Sequence, residues 1–132
     1  MPNLILQECL IRFLEKTKDG GPESPVTGYF LIEIKSLFSI VLLHFGGTRE
    51  AFHSHAFNAW TYWLKGLAWE GTKVENGVRG RLWTKGQWKY TPRNLMHKIY
   101  PITDVWAISF RGPWDWFVAR TAFVTPYLTQ QC

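Results

Sequence analysis

This 132-residue chain has few of the residues that build disulfide scaffolds or membrane spans. Its two cysteines, Cys9 and Cys132, stand near opposite ends and form no CxxC pair, so the sequence predicts a reduced intracellular protein. No apolar run approaches the ~20 residues that a spanning helix needs. The first residues mix acids and bases where a secretion signal needs an apolar centre. These absences argue against an exported disulfide scaffold and against a membrane protein, and they predict a cytoplasmic location.

The composition is that of one folded domain over residues 1–132, with 46% hydrophobic and 19% charged residues. Aromatic residues make up 17% of the chain, which suits a small β-rich core. The formal net charge is +5. One stretch alternates basic and aromatic residues as single-stranded nucleic acid can require: Arg79, Arg81, Trp83, Lys85, Trp88 and Lys89. A charged strand face gives the same pattern and no recognition motif accompanies it, so nucleic-acid binding is the less favoured reading.

The first 20 residues predict a short amphipathic helix. Leu6, Cys9, Leu10, Phe13 and Leu14 recur at helical spacing, and Asp19-Gly20-Gly21 then supplies an end signal. From Tyr29 the chain changes to short runs rich in Val, Ile, Phe, Tyr and Trp, separated by turn residues.

These runs predict many short antiparallel strands. The predicted strands are YFLIEI, LFSIVLLHF, the segment through His53 and His55, AWTYWLKG, LAWEGTKV, VRGRLW, QWKYT, HKIY, VWAISF and WFVARTAF. Asn76-Gly77 favours a tight hairpin because both residues tolerate positive φ. The fold predicted is an all-β jelly-roll barrel over residues 28–126.

His53 and His55 are two of only four histidines. On a strand, side chains two residues apart project to the same face, so both imidazoles would enter one side of the sheet. Inside a barrel such a pair can close on a metal if another strand brings a third ligand. An HxH pair alone is weak evidence, because histidine pairs on exposed strands are common without a function.

The spacing around this pair resembles the cupin superfamily at both of its motifs, G(X)5HXH(X)3,4E(X)6G and G(X)5PXG(X)2H(X)3N. The matching positions are Gly47, His53, His55, Ala59 and Gly66 in the first motif, then Gly86, Pro92, Asn94, His97 and Pro101 in the second. The resemblance covers residues 47–101 directly and implies a single cupin-type double-stranded β-helix. Ala59 replaces the glutamate that often ligates the metal, Asn94 replaces glycine and Pro101 replaces asparagine.

The resemblance implies that His53, His55 and His97 bind a divalent transition metal, with iron, zinc, nickel and manganese as candidates. Three neutral imidazoles leave the metal charge uncompensated, so an anionic ligand would supply the balance. Three-histidine cupins include iron dioxygenases, which implies an oxygenase acting on a small molecule. Zinc would instead suit hydrolysis or hydration.

Other residues are weaker site candidates. His44 shares strand parity with apolar residues, so we expect a core histidine or a group behind the metal ligands. Parity from Ala59 brings Thr61 and Trp63 inward as substrate contacts, and Arg81 is a candidate anchor for an anion. Glu50 and Glu70 are alternative carboxylates only if the chain bends toward the site.

The strings LLHF, WLKGLAWE and ISFRGPWDW also look similar to small phage-encoded cupins, which would place the protein in a host cytoplasm. Two classes of function stay open. One is a metal-dependent enzyme; the other is a non-catalytic binding module for a carbohydrate or a nucleotide-like ligand. Either form is expected to be a homodimer, since cupins commonly associate through their sheets.

Overall fold

The computed structural model describes residues 11–48 and 52–114 of the chain. These residues form nine β-strands: β1 (Ile11–Lys18), β2 (Val26–Ile34), β3 (Phe38–Phe45), β4 (Ala59–Lys65), β5 (Leu67–Val74), β6 (Gly77–Thr84), β7 (Trp88–Thr91), β8 (His97–Pro101) and β9 (Val105–Arg111). Residues 11–48 and 52–114 contain no helix that could cross a membrane.

The strands form two antiparallel sheets. The larger sheet has six strands in the order β1-β2-β3-β9-β4-β7, and the smaller has three in the order β6-β5-β8. The last described strand, β9, pairs with both β3 and β4, so it lies in the middle of the larger sheet. The all-β jelly roll predicted from the strand pattern is confirmed.

The predicted hairpin forms, although of Asn76 and Gly77 only the glycine takes a positive φ. β5 and β6 form a hairpin that closes at the pair Val74 and Gly77, with Gly77 at a φ of 137°. Gly66 connects β4 to β5 at a φ of 90°, and a Cβ there would stand 2.3 Å from the Asp104 carbonyl oxygen. Any larger residue at Gly66 would therefore displace the chain between β8 and β9.

The predicted N-terminal helix is wrong over the part that the structure describes. Residues 11–18 form β1, which pairs with β2 from Ile11 opposite Ile34 to Lys18 opposite Thr27. Residues 1–10 of the predicted helix, and the predicted strand at 116–123, lie outside the described residues. Phe13 and Leu14, which the helical pattern placed on a buried stripe, are 59% and 84% exposed. Pairing with β2 and the buried contact of Arg12 with Glu33 stabilise a strand here, although the spacing of apolar residues within the segment is helical.

The interior has an apolar end and a polar end. The apolar end is a cluster in which Phe30 and Val41 are fully buried together with Trp63, Trp83 and their neighbours. At the polar end, strand register places Arg12, Glu33, Ser39 and Arg111 side by side across β1, β2, β3 and β9. All four are buried.

Lys35 directly follows β2 at this polar end and is 1% exposed. Its Nζ lies 3.9 Å from Glu33 Oε1 and 4.5 Å from the centre of the Trp114 ring. Burial lowers the pKa of Lys35 to about 8, against the opposing effect of the Glu33 charge.

We expect the free energy of unfolding to depend on pH through Lys35. Between the folded pKa near 8 and the unfolded value near 10.4, the unfolded state binds more protons, so stability rises as the pH rises. From about pH 7 to about pH 10 the wild type should gain about 2 kcal/mol relative to Lys35→Met, in urea titrations of both proteins. Lys73→Met, at an exposed lysine of β5, is the control and should follow the wild type. Equal pH dependence in wild type and Lys35→Met would contradict this assignment.

Candidate metal centre

Three histidines converge at one place in the barrel. His53 and His97 face each other in an isolated antiparallel bridge, in which each backbone N–H donates to the other residue's carbonyl oxygen at 3.0 Å. His55 follows two residues later, outside any regular strand, and its Nε2 lies 3.2 Å from His97 Nε2. One ring nitrogen from each of the three histidines falls within 4.8 Å of the others.

The pair His55 and His97 has the nitrogen spacing of two ligands to one divalent transition metal. Two imidazole nitrogens bound at ~2.1 Å to one ion stand about 3.0 Å apart at an octahedral angle and about 3.4 Å apart at a tetrahedral one. The 3.2 Å between the Nε2 atoms of His55 and His97 lies in that interval. Imidazole is a good ligand for zinc, iron, nickel and copper, so the donor type of all three residues also suits such an ion.

Glu70 on β5 fixes the orientation of His97. The Nδ1–H of His97 donates to Glu70 Oε2 at 2.6 Å, which leaves the Nε2 lone pair directed at the cluster. Lys89 on β7 places its Nζ 2.7 Å from the same Oε2, and Trp83 Nε1–H donates to Oε1 at 3.1 Å. Glu70 therefore acts through His97, in the manner of the carboxylates that orient metal-bound imidazoles.

The charge states of these groups also suit metal binding. Burial would raise the pKa of Glu70, but the hydrogen bond from His97 and the charge of Lys89 lower that pKa to about 2. Burial lowers the pKa of His55 well below its usual value, and the neighbouring His97 and His53 lower it further. Burial also lowers the pKa of His97, against the hydrogen bond to Glu70. His55 and His97 are therefore neutral near pH 7, the form that donates a lone pair to a metal.

The histidine cluster lines a partly open cavity of about 80 Å³. The apolar part of its wall comes from residues such as Phe45, Phe57 and Trp63. The polar part includes two cations, Lys89 and Arg111, with the hydroxyl residues Thr61, Thr91 and Ser109. A cavity of this size admits a molecule of a few heavy atoms, smaller than the benzene that fills a cavity of ~150 Å³.

Of the residues predicted to contact substrate, Thr61 and Trp63 lie on the cavity wall, as does Ala59. Trp63 is 2% exposed, and its Nε1 has no hydrogen-bond partner among the described residues. A buried indole N–H without an acceptor lowers the free energy of unfolding by about 1–3 kcal/mol. A ligand with a hydrogen-bond acceptor would therefore gain a contact with this group.

Two other candidates lie elsewhere. His44 shares parity with Phe38, Ile40 and Leu42 as predicted, but that apolar face is the outer face of the larger sheet. The inward set on β3 is Ser39, Val41, Leu43 and Phe45. His44 Nε2 pairs with Asp104 at 2.8 Å and its ring stacks on Trp106, so it does not reach the histidine cluster. Arg81 is exposed on β6, where its guanidinium stacks on the Trp83 ring at 3.7 Å, and it does not line the cavity.

Arg111 and Asp19 are among the cavity residues that sequence reasoning missed. Arg111 has the same parity on β9 as the buried Val105 and Ala107, a signal that was available. Its guanidinium forms two hydrogen bonds to Asp19, at 2.9 and 2.6 Å. Asp19 sits after β1, and no local pattern connects it to a partner 92 residues away. Glu50 lies outside the described residues.

No protein-family model and no curated protein matches this sequence. Solved structures with a similar fold include an RmlC-like cupin from Shewanella frigidimarina, at 19% identity and a TM-score of 0.55 over 84% of this chain and 89% of the other. An oxalate decarboxylase from Bacillus subtilis matches at 16% identity and a TM-score of 0.59 over 79% of this chain. The hydroxypropylphosphonic acid epoxidase from S. wedmorenis matches at 12% and 0.59, over 74% of this chain and 54% of the other.

Two of these neighbours are described with metals. Mn(II) centres are reported for the Bacillus subtilis oxalate decarboxylase, and an epoxidase structure holds FeII with substrate. This chain spans 29% of the length of the oxalate decarboxylase. At these identities the similarity establishes the fold, which confirms the fold that the two motifs predicted. The likeness to phage-encoded proteins stays a prediction.

Proposed function

We propose that this chain, which has the cupin fold, is a metal-dependent enzyme that acts on a small acid inside the barrel. The observation that carries the proposal is the convergence of His53, His55 and His97 on the wall of a cavity, with His97 oriented by Glu70. In this proposal the three histidines hold a divalent transition metal. A bound metal of this kind would supply Lewis-acid chemistry, and iron would add oxygenase chemistry.

The charges around the cavity favour an anionic substrate. Lys89 and Arg111 are balanced by Glu70 and Asp19, to which they are paired. Neutral imidazoles add nothing to offset a divalent ion, so the site would carry a net positive charge until an anion enters. Among the neighbours, an oxalate decarboxylase and a phosphonic acid epoxidase are both named for small acids, which supports this substrate class.

Ala59 offers a place for the substrate's anionic group. It lies on the cavity wall and pairs in register with Arg111 of β9 and Thr91 of β7. The cupin motif has glutamate at this position, so a carboxylate brought by the substrate would occupy the space that the alanine side chain leaves. Thr61 and Trp63 lie on the same wall. The Thr61 hydroxyl and the Trp63 N–H, which has no partner among the described residues, are the proposed hydrogen-bonding contacts to the substrate.

Ala59→Glu tests this arrangement. The new side chain would fill much of the 80 Å³ cavity and bring its own negative charge beside Arg111. We expect the variant to bind metal at least as tightly as the wild type, and to lose binding of small acids such as oxalate by about 100-fold or more, measured by isothermal titration of metal-loaded protein. Unchanged acid affinity in a folded variant would show that the substrate binds elsewhere.

The same titration on metal-free protein separates an enzyme from a binding module. Acid binding that requires the metal supports the proposal, and oxygen uptake by iron-loaded protein with the bound acid would establish an oxygenase. Equal acid binding with and without metal, and no turnover with iron, zinc, nickel or manganese, would favour the binding module instead.

A further inference from the structure

The outer face of the smaller sheet carries an open groove that shares no lining residue with the histidine cavity. Strand register places Trp69 of β5 between Leu82 of β6 and Tyr100 of β8, while the next residue, Glu70, faces inward toward His97. Residues paired directly across strands lie on the same face, so all three side chains point outward. The groove has a volume of about 490 Å³ and is lined by Phe52, Trp69, Val78, Lys98 and Tyr100.

Two glycines allow the Trp69 ring to lie against the sheet. Gly71 and Gly80 are paired across β5 and β6. A Cβ at Gly71 would stand 2.8 Å from the Trp69 ring, and a Cβ at Gly80 would stand 2.6 Å from it, so the indole occupies the space above both residues. Tyr100 stands beside this ring, with centroids 5.4 Å apart and an interplanar angle of 59°. Because Trp69 is only half-buried, the groove presents a fixed aromatic surface to solvent.

Lys98 brings a positive charge to the same rings. Its Nζ lies 4.7 Å from the centre of the Phe52 ring and 5.3 Å from the centre of the Tyr100 ring. Lys98 pairs with Gly71 in the register of β8 with β5, so it shares the outer face with Trp69. Aromatic rings beside a cation suit a ligand that combines a planar ring with an anionic group.

The net charge of the chain lies in the segment that builds this sheet. Residues 67–101 hold seven basic and two acidic residues, and the difference of +5 equals the net charge of the whole chain. Glu70 is buried and paired with Lys89, so Glu75 in the hairpin turn is the one exposed acid of this fully described segment. Its exposed basic residues are Lys73, Arg79, Arg81, Lys85 and Arg93. This charge distribution favours a polyanion as the partner.

We propose that the groove binds single-stranded nucleic acid. Bases stack on Trp69 and on the neighbouring Tyr100, and the phosphates pass beside Lys98 and Lys73, which faces outward with Trp69 on the same strand. Every base has an aromatic face, so these contacts are tolerant of sequence.

The shape of the groove favours a single strand over a free nucleotide or a duplex. Small-molecule sites bury most of the ligand surface, whereas this groove is open to solvent and leaves one side of a bound base uncovered. In a duplex the bases are already stacked on one another, so only a single strand can offer a base to the Trp69 ring.

The basic and aromatic stretch noted in the sequence contributes charge to this surface, but not its stacking rings. Trp83 and Lys89 are buried, and both contact Glu70 on the inner side of the sheet. The rings that line the groove come instead from Phe52, Trp69 and Tyr100, which are far apart in the chain.

Fluorescence anisotropy of the full chain with a labelled oligothymidylate of about 12 nucleotides tests the proposal. We expect saturable binding at low salt that weakens as salt is added. Trp69→Leu keeps an apolar side chain but removes the ring, and it should weaken binding by about 10-fold or more. Lys98→Met should make the slope of log affinity against log salt shallower by about 0.7. Circular dichroism checks that each variant folds, and Tyr100→Leu replaces Trp69→Leu if that variant does not.

Trp60→Leu and Lys16→Met are the matched controls on the larger sheet. Trp60 lies 5.0 Å from the Tyr90 ring at an angle of 50°, and Lys16 Nζ lies 5.6 Å from the centre of the Tyr29 ring. Both controls should keep the wild-type affinity and salt dependence. Metal-loaded and metal-free protein should also bind the oligonucleotide equally, because the groove lies apart from the histidine cluster.

Four results would overturn the proposal. They are no saturable binding of the single strand, a duplex of the same length that binds as tightly, an equal loss of affinity in the control variants, and unchanged binding by the groove variants. Binding of a neutral oligosaccharide in place of the oligonucleotide would assign the aromatic rings to a carbohydrate instead.

Discussion

Replacing His97 by alanine is expected to abolish stoichiometric metal binding. His97 contributes one of the three converging nitrogens, and its backbone bridge to His53 positions a second. Loss of a residue that only orients a ligand typically lowers metal affinity by 10–100-fold, so loss of the ligand itself should exceed ~100-fold. His53→Ala and His55→Ala should have the same effect, measured by competition with a chromophoric chelator.

His44→Ala is the matched control for this series, because it removes the remaining histidine of the chain. His44 lies on the outer face of β3, bonded to Asp104 and stacked on Trp106. It should retain the wild-type metal affinity. If His44→Ala weakens metal binding as much as the three cavity variants do, or if the cavity variants retain the wild-type affinity, the site assignment is wrong.

Glu70→Gln is expected to weaken metal binding and to destabilise the fold through two separate contacts. Glutamine cannot provide the negative charge that holds the Nδ1–H of His97 at 2.6 Å, so metal affinity should fall by about 10–100-fold. The same change leaves the buried Lys89 ammonium without its counter-charge, which typically costs about 3–5 kcal/mol. Metal titration measures the first effect, and urea unfolding of metal-free protein measures the second.

The double variant Glu70→Gln with Lys89→Met separates these two effects. Removing the ammonium should restore most of the lost stability, because no buried charge is then left unpaired. It should not restore metal affinity, since His97 still lacks its carboxylate. Recovery of both properties in the double variant would mean that Glu70 serves only to neutralise Lys89.

Local sequence patterns predicted most strands of this fold, but the strand predicted through His53 and His55 is wrong, since only His53 forms an isolated bridge there. The strand LAWEGTKV was predicted with the boundaries it has, and the hairpin at Asn76-Gly77 is where turn chemistry placed it. Both depend on interactions between residues close in the chain. The helix predicted over residues 1–20 is wrong from Ile11 onward, because these residues pair with β2 as a strand. The spacing of apolar residues within the segment carries no information about that partner.

Strand parity predicted which residues share a face, but not which face is inside. Parity correctly grouped Thr61 and Trp63 with Ala59, and the structure places all three on the cavity wall. It also grouped His44 with apolar neighbours, and that group faces outward. The inference from an apolar face to the interior fails on β3 because its outward residues Phe38, Ile40 and Leu42 are as apolar as its inward residues Val41, Leu43 and Phe45.

The charged residues that orient the metal-binding histidines were the hardest part of the site to predict. Glu70 lies 27 residues before His97, and only the pairing of β5 with β8 brings the two together. Because Ala59 lacks the carboxylate of the first cupin motif, the sequence suggests Glu70 as an alternative metal ligand. The structure instead places Glu70 on the far side of the His97 ring, hydrogen-bonded to Nδ1.

Anomalous diffraction from a crystal of metal-loaded protein, collected on both sides of the metal's absorption edge, tests the central claim most directly. The account predicts one strong anomalous peak per chain, about 2.0–2.2 Å from one ring nitrogen each of His53, His55 and His97. A peak at another position, or stoichiometric metal in solution with no peak among these three side chains, would contradict it.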